Sequence, residues 1–329
     1  MSDKWKPRKV VIVGAGAVGS TFAYALAQSG LADEIVLRDA NHELAIGQVL
    51  DLAHGQAFFP SVQIREAQAA DYADARLIVI TAGAKQRSGE ARLELLQRNA
   101  KIIYDIIDDI VRQESTAVVV IVSNPVDILT YVAHERSGWR RGRIIGSGTV
   151  LDSARFRHLL SQHCGVDVHN VHAYMMGEHG DSEFAAWSMT NVAGMPVEQF
   201  CHLCLKCDDW RAARRKIADD VKHSAYHIIE YKGATWFAVG LALTQIAAPI
   251  LRNQHGVLTV SSVLEGEYGL NGVSLGVPCI VSREGVEQVL QVKLSPDEQS
   301  ALEKSAGVLR EIIEKLTLSP SSQSKPKGA

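Results

Sequence analysis

The stretch KVVIVGAGAVGSTFAYALAQSG, residues 9–30, decides the fold. A short apolar run, a glycine-rich segment and a helical apolar pattern follow one another, which predicts a strand, a tight turn and a helix. In such a unit Gly14 permits the turn, Gly16 lets the backbone approach a pyrophosphate, and Gly19 lets the helix lie close to the strand. The phosphates would then lie at the positive end of the helix.

An acidic residue follows at the distance that a dinucleotide fold requires. A second apolar strand, residues 34–37, leads to Asp39, which lies 39 − 19 = 20 residues beyond Gly19. A carboxylate there binds ribose hydroxyls and repels a 2′-phosphate, so the pattern favours NAD. The alternative is a closely packed helix that binds no ligand. A phosphate-binding P-loop is excluded because Ser20 and Thr21, and no lysine, follow the last glycine.

The composition predicts a soluble protein with small-molecule partners. At 329 residues the chain is long enough for about two domains, with 47% hydrophobic and 22% charged residues. A net charge of −3 offers no basic surface field for nucleic acid. Residues 1–7 show no apolar signal-peptide core, and no apolar run reaches bilayer length, so we predict no membrane association. Five cysteines, an odd number, favour reduced thiols and a cytoplasmic location.

Strands and helices alternate through the first part of the chain, which predicts the α/β class with a doubly wound parallel sheet, a Rossmann domain over residues 6–146. Residues 143–146 are expected to form its last strand. A change of pattern then predicts an α+β substrate domain over residues 147–316, and residues 317–329 have the composition of a disordered tail. Within the second domain we expect the following elements: a strand over 171–176, helices over 208–231, 235–252 and 296–316, and strands between 256 and 282.

Polar segments follow the predicted strands, where ligands bind in open α/β sheets. Residues 81–92, TAGAKQRSGEAR, form a polar loop with glycines near both ends. Such a loop either closes over a ligand or is a solvated connection. Residues 123–127, SNPVD, place Asn124 at the end of a strand, where it either contacts a ligand or caps a helix.

One histidine has a setting that suits acid–base chemistry. His179 is flanked by glycines in residues 177–182, GEHGDS, directly after the predicted strand. Histidine titrates near neutral pH, although most histidines have no catalytic role. Upstream, Asp152 and Arg155 are three residues apart at the start of a helix, a spacing that also suits a surface ion pair. The residues alone leave these alternatives open.

Taken together, these segments resemble the lactate/malate dehydrogenase family. They occur in the family's order across nearly the whole chain. The matching features are GAGAVG at 14–19, Asp39, AGAKQRSGEAR at 82–92, SNPVD at 123–127, GTVLDSARFR at 148–157, GEHGDS at 177–182 and KGAT at 232–235.

The resemblance implies an NAD-dependent enzyme that reduces a 2-oxo acid reversibly. His179 would give a proton to the substrate oxygen, and Asp152 would orient the ring and stabilise its charge. Arg155 would bind the substrate carboxylate through two parallel hydrogen bonds. Arg92 would arrive when the loop closes and polarise the carbonyl group, while Asn124 would orient substrate and nicotinamide.

The resemblance also implies a substrate. Gln86 occupies the position at which lactate-specific members carry Gln and malate-specific members carry Arg. A neutral amide disfavours a second carboxylate, so pyruvate and L-lactate are expected as the substrate pair. The neighbouring Arg87 leaves an enzyme of oxaloacetate and malate as the alternative. Thr235 would line the substrate pocket, and Val239 would pack on the nicotinamide ring.

The remaining implied contacts concern the cofactor and a regulatory site. NAD would touch further residues beside those of the turn: Ala17, Val18, Gly83, Ala84, Ser123 and Asn124. Arg157 and His172 match positions at which allosteric bacterial members bind fructose 1,6-bisphosphate between subunits, and a homotetramer is the assembly expected with such a site. An ordinary exposed Arg and His are the alternative.

Other classes fit less well. Cys201, Cys204 and Cys207 have metal-like spacing, but no fourth cysteine follows, so no metal site is predicted. No tyrosine has a lysine four residues on, as short-chain dehydrogenases require, and no His-Glu-x-x-His motif is present. A non-catalytic NAD-binding protein is the alternative of another class. Such a protein would have lost part of the acid–base pair or one of the arginines, whereas this chain has all four implied catalytic residues.

Overall fold

The computed structural model describes residues 7–87, 89–204 and 209–316, without the side chain of Cys204. The predicted disordered tail, residues 317–329, lies outside these ranges, as does Cys207. Within them, no helix is long and apolar enough to cross a membrane.

The first half of the chain builds six parallel strands in the order β3-β2-β1-β4-β5-β6. The central strands are mostly apolar and buried, because helices cover both faces of the sheet, whereas in the edge strand, with the sequence QIRE, only Ile64 is buried. The strand order reverses between β1 and β4, which opens a crevice at their carboxyl ends. The strands are β1 Lys9–Val13, β2 Glu34–Arg38, β3 Gln63–Glu66, β4 Leu77–Ile80, β5 Val118–Ile121 and β6 Ile144–Gly146.

Five helices connect these strands or follow the last of them. The first packs Phe22 and Leu26 into the core and ends at Gly30, whose left-handed conformation (φ +62°) suits glycine. The doubly wound parallel sheet predicted from the sequence is confirmed. The helices are α1 Ala17–Ser29, α2 His42–His54, α3 Arg92–Arg112, α4 Val126–Ser137 and α5 Val150–Cys164.

The sheet does not end where the sequence pattern indicated. A hairpin of strands from the second half of the chain, lying between residues 261 and 276, extends it beyond β6 in antiparallel fashion, with Ser261 opposite Gly146. A side chain at position 146 would meet Thr130 Oγ1 and Ser261 Cβ, so glycine permits this close approach. Arg143, expected in the strand, lies in a short 3₁₀ turn before it. Local periodicity cannot show which sheet a distant hairpin joins.

The second half contributes small antiparallel sheets. The single strand expected over residues 171–176 is wrong: two short strands with different partners are separated by Ala173 and Tyr174. The strands are β7 Val171–His172, β8 Met175–Met176, β9 Phe184–Ala185, β10 Asn191–Val192, β11 Met195–Pro196, β12 Gly256–Leu258, β13 Ser261–Glu265, β14 Asn271–Gly276, β15 Cys279–Ser282 and β16 Gly285–Val289.

Four more helices complete the described chain. The Asp209 side chain caps the first of the two long helices, which therefore begins at Trp210, and the second begins at Phe237 and not at Thr235. That second helix packs closely on α1, because Gly240 has no side chain to meet Thr21. The helices are α6 Val197–Cys204, α7 Trp210–Lys232, α8 Phe237–Arg252 and α9 Pro296–Lys315.

Candidate active site

The three glycines of the first turn have different structural roles. Gly14 has φ +110°, a conformation that L-residues rarely adopt. A Cβ atom on Gly19 would lie 1.8 Å from the Gly14 carbonyl oxygen, so this position requires glycine for packing alone. A Cβ atom on Gly16 would meet no atom of another described residue within 4 Å, its chain neighbours apart. The space beside Gly16 therefore fits a ligand that approaches the backbone, as a pyrophosphate does.

The surroundings of this turn suit a dinucleotide. The N-cap residue of α1, Gly16, has no side chain, and the first turn of this helix contains no acidic residue, so its N–H groups are available to an anion. The Asp39 carboxylate accepts hydrogen bonds from the Ala15 N–H at 2.7 Å and the Asn41 N–H at 2.8 Å, and it has lone pairs left for ribose hydroxyls. At the neighbouring strand end, the Ala84 N–H donates to Asn99, and the Ser123 side chain lies beside Gly83.

Two glycine substitutions should separate cofactor binding from packing. Gly16→Ala has room in the protein and a compatible backbone (φ −70°, ψ −170°), so we expect no loss of thermal stability. Its NADH Kd should nevertheless rise about tenfold or more, a cost of about 1.4 kcal/mol. Gly19→Ala should instead lower the melting temperature. Fluorescence titration with NADH and thermal unfolding measure the two effects, and equal NADH affinity in Gly16→Ala and the unmodified protein would contradict the assignment.

A cavity of about 180 Å³ lies at the carboxyl ends of the strands, beside this turn. It collects residues that are far apart in the sequence and that the family resemblance had singled out. They are Val18, Asn124, Arg155, His179, Thr235 and Val239. Ala225 and Ile229 of α7 also line the cavity, which the sequence analysis did not anticipate. The cavity is therefore enclosed by both halves of the chain.

His179, Asp152 and Arg155 form one hydrogen-bonded unit. The Asp152 side chain is 3% exposed and shares a hydrogen bond of 2.6 Å with His179 Nδ1. Its other oxygen accepts from Arg155 Nη1 at 2.7 Å. The carboxylate thus holds the ring in one orientation and leaves Nε2, on the opposite side, for a ligand. The side chain of His179 remains 27% exposed, so a substrate can reach it.

The loop that carries His179 is fixed by contacts at several points. The His179 N–H donates to Asp127 Oδ2 at 2.7 Å, and Asp127 is itself buried and accepts a hydrogen bond from Ser261. The Glu178 N–H donates to Ser305 of α9, and Gly177 pairs with Gly276. The position of the histidine is therefore set by α4, α9 and the β13–β14 hairpin. Asp127 was not among the predicted site residues.

The buried charges shift the pKa values of these groups. Burial acts to lower the pKa of His179, but the charge of Asp152 and the hydrogen bond to it outweigh burial and raise the pKa to about 9. Burial acts to raise the pKa of Asp152, and the charges of His179 and Arg155 lower it overall. Burial raises the pKa of Asp127 to about 6. The arrangement therefore favours an imidazolium at neutral pH, an acid able to donate a proton.

Comparisons with known proteins identify the family of the chain. Residues 8–146 match the model of the NAD-binding domain of lactate/malate dehydrogenase, and residues 149–318 match that of its alpha/beta C-terminal domain. The chain belongs to the lactate/malate dehydrogenase family. As in other members of this family, its cofactor is NAD, which confirms the preference inferred from Asp39.

Individual members of the family are similar over nearly their full length. An L-lactate dehydrogenase of Treponema denticola is 58% identical over 93% of this chain and 97% of its own. One of Acetivibrio thermocellus is 49% identical over 94% and 98%. The solved structure of the minor L-lactate dehydrogenase of Enterococcus mundtii, in its ligands-bound form, has 39% identity and a TM-score of 0.91, and covers 95% of this chain and 99% of its own.

Two residues that the family resemblance placed on the substrate do not line the cavity. Gln86 is exposed, and its side-chain amide donates to the Glu90 carbonyl oxygen at 2.9 Å. Arg92 is exposed at the first position of α3. In α7, the hydrogen bond to Asp181 raises the pKa of Tyr226, and the charge of Arg92 acts in the opposite direction. Both side chains are thus exposed and lie outside the cavity.

Arg157 and His172 line a second, larger cavity of about 610 Å³ on the other side of α5. His169 and Leu241 belong to the same cavity. Arg157 donates to the Val171 carbonyl oxygen at 2.9 Å, while His172 is exposed. The two predicted effector residues are thus close together. Of the three cysteines with metal-like spacing, Cys201 is buried on α6, whereas Cys207 lies outside the described residues.

Proposed function

We propose that His179, Asp152 and Arg155 are the centre at which this chain, an NAD-dependent L-lactate dehydrogenase, interconverts pyruvate and L-lactate. The prediction of that enzyme is confirmed by curated relatives of this name, which are 47–58% identical over most of the chain. The observation that carries the assignment of roles is the hydrogen bond of 2.6 Å between His179 and Asp152 beside a cavity lined by Arg155. That unit combines a proton donor with a carboxylate-binding cation.

Substrate binding is assigned to the cavity wall. Arg155 is half-buried, and its guanidinium has five N–H donors, of which one at Nη1 donates to Asp152. We infer that the remaining donors bind the pyruvate carboxylate through two parallel hydrogen bonds. Asn124 and Thr235 line the same space and orient the keto group. Val239 and Val18 provide an apolar wall for the nicotinamide. NADH supplies the hydride for the carbonyl carbon when it is bound.

The proton comes from the protein. His179 donates it from Nε2 to the oxygen of pyruvate, and Asp152 stabilises the imidazolium before the transfer and holds the neutral ring afterwards. In lactate oxidation the neutral ring accepts the proton. The loop 81–92 would close over the substrate and bring Arg92 to the carbonyl oxygen, where its charge would stabilise developing negative charge. Closure would also exclude water from the cavity.

Substrate choice is assigned to Gln86, and a substitution tests it. Pyruvate should be preferred over oxaloacetate, because a closed loop would bury the second carboxylate of oxaloacetate against a neutral amide. Gln86→Arg should reverse the preference, with the ratio of the two kcat/KM values changing by about 10³-fold. Initial rates with NADH and each acid measure this ratio, and Arg87→Gln is the matched control. A preference for oxaloacetate in the unmodified enzyme would overturn the assignment.

We also propose a homotetramer that is activated by fructose 1,6-bisphosphate. Arg157 and His172 line the 610 Å³ cavity, and a symmetry-related pair could supply cations for both phosphates. Exposed apolar side chains support assembly. They lie on α2 (Leu44, Ile46 and Leu50) and on α8 (Phe237 and Leu241). Pyruvate saturation curves with and without the bisphosphate test activation, and sedimentation with and without it tests the tetramer. Saturation curves that the bisphosphate does not change at any pH would exclude activation.

We further propose that the chain divides into two domains and that the enzyme acts in fermentation. Residues 6–146 would form the NAD-binding domain and residues 147–316 the substrate domain, although the hairpin β13–β14 of the latter joins the sheet of the former. Reduction of pyruvate reoxidises NADH, so the enzyme would serve fermentation at the end of glycolysis in the cytoplasm. The roles implied by the family resemblance are proposed for the remaining residues as well. Arg92 would polarise the substrate carbonyl and Gln86 would select the substrate. NAD would contact Gly83, Ala84 and Ser123.

A further inference from the structure

A second carboxyl group is buried beside the catalytic pair and has no role in the mechanism above. Glu183 is 3% exposed and follows His179 by four residues in the same loop. Each of Asp152, His179 and Glu183 offers a side-chain nitrogen or oxygen atom, and these three atoms lie within 4.8 Å of one another. Glu183 Oε2 is buried and has no hydrogen-bond partner among the described residues. Such an orphaned buried oxygen calls for an explanation.

A metal ion is one candidate explanation, since a carboxylate pair and an imidazole are common ligands. The contacts of Asp152 argue against it. One of its oxygens is bonded to the Arg155 guanidinium at 2.7 Å and the other to the His179 ring at 2.6 Å. A divalent cation would have to displace one of these groups and lie beside the positive charge of Arg155. A Glu183 carboxyl group that keeps its own proton beside an ionised Asp152 is a simpler explanation.

The two carboxyl groups have very different surroundings. Two carboxylates this close cannot both ionise at low cost in a buried site, so one keeps its proton. Asp152 has two cationic hydrogen-bond partners, whereas Glu183 has an oxygen with none. The negative charge therefore belongs on Asp152. We propose that Glu183 is a positioning residue that lies beside the catalytic pair as an uncharged carboxylic acid at neutral pH and so adds no negative charge to that of Asp152.

The charged groups around Glu183 support this state. Burial raises its pKa, and the charge of Asp152 raises it further. His179, Arg155 and Lys222 act in the opposite direction without reversing the shift, and the pKa reaches about 9. Of these, Asp152 and Arg155 lie on α5 and Lys222 on α7, while His179 shares the loop with Glu183. Since the pKa of His179 is also about 9, the two groups lose their protons in coupled steps at alkaline pH.

This coupling affects the strength of the catalytic acid. At neutral pH an uncharged Glu183 leaves the His179 imidazolium free to give up its proton, because no second carboxylate holds it. At alkaline pH the ionised Glu183 retains the proton on His179 and extends pyruvate reduction to higher pH. This inference rests on the proposed role of His179 in the reaction. The protonation state of Glu183 can nevertheless be measured without any assay of activity.

Infrared spectroscopy of the NADH-saturated enzyme tests the protonation state. With ¹³C-carboxyl-labelled glutamate, the labelled-minus-unlabelled spectrum at neutral pH should contain the carbonyl stretch of a protonated carboxyl group, and this band should disappear as the pH rises through about 9. Glu183→Gln should lack the band, whereas the loop variant Glu178→Gln should retain it. Absence of a protonated glutamate band, or a band that responds only to labelled aspartate, would overturn the proposal. The labelling requires no variant, so poor folding of Glu183→Gln would not leave the question open.

The pH profile tests the coupling to His179. In Glu183→Gln the second charge cannot form, so the alkaline limb of kcat/KM for pyruvate should move to lower pH by about one unit. An unmoved limb would show that Glu183 fills space only, and would also overturn the proposal. An enzyme that fails to reduce pyruvate at all would instead refute the proposed function, and the infrared result would stand by itself.

Discussion

The His179→Gln enzyme is expected to reduce pyruvate with a kcat about 10³-fold below that of the unmodified enzyme, with little change in the KM for pyruvate. The amide keeps a polar group in the cavity but cannot donate a proton at a useful rate. Arg155 still binds the carboxylate, so ground-state binding is retained. Stopped-flow measurement of NADH oxidation gives kcat directly. His54→Gln, at the exposed end of α2, is the control for the loss of a histidine.

The pH dependence of a second variant, Asp152→Asn, shows whether His179 donates a proton or only fills space in the cavity. Without the carboxylate, burial of the ring is no longer outweighed, so the pKa of His179 should fall from about 9 towards or below its ordinary value of 6.5. Pyruvate reduction requires the imidazolium, and its activity should be lost at correspondingly lower pH. Lactate oxidation requires the neutral ring, and its activity should extend to lower pH. Shifts in opposite directions for the two reactions would contradict the assignment.

Much of the site could be predicted from the sequence because many of its residues lie directly after predicted strands. The glycine turn, Asn124 and the segment that begins at Gly148 each come directly after a strand of one parallel sheet, and such ends meet at one edge. The turn required glycine at positions 14 and 19 for reasons of local geometry. The pairing of His179 with Asp152, in contrast, came from the family resemblance. The two residues are 27 positions apart, and no periodicity relates them.

The features that the sequence did not predict depend on contacts between distant segments. The hairpin β13–β14 joins the sheet at Gly146 through pairing that is not visible in either segment alone. Asp127 and Glu183 look like ordinary polar residues of a helix start and a loop, and only tertiary burial turns them into groups with shifted pKa values. The resemblance implied that Arg92 reaches the substrate only when the loop 81–92 closes, and in this structure Arg92 is exposed.

The Arg155→Lys enzyme is expected to show the opposite kinetic pattern to His179→Gln. Lysine keeps the positive charge but cannot make two parallel hydrogen bonds to a carboxylate. It also lacks the guanidinium Nη1 that donates to Asp152 at 2.7 Å and helps to fix the side chain. Loss of one charge-assisted hydrogen bond should raise the KM for pyruvate about 100-fold, a cost of about 2.7 kcal/mol. The carboxylate is bound equally before and during hydride transfer, so kcat should change much less.

An uncharged substrate makes this test specific to the carboxylate. For pyruvamide, which has no carboxylate, the unmodified enzyme and Arg155→Lys should have similar kcat/KM values, whereas for pyruvate they should differ about 100-fold. Arg112→Lys, at the exposed end of α3, controls for the exchange itself. A variant that loses the same factor on both substrates would show that Arg155 acts through Asp152 and His179. The proposed direct contact between Arg155 and the substrate carboxylate would then be wrong, and so would the binding geometry assigned to the cavity.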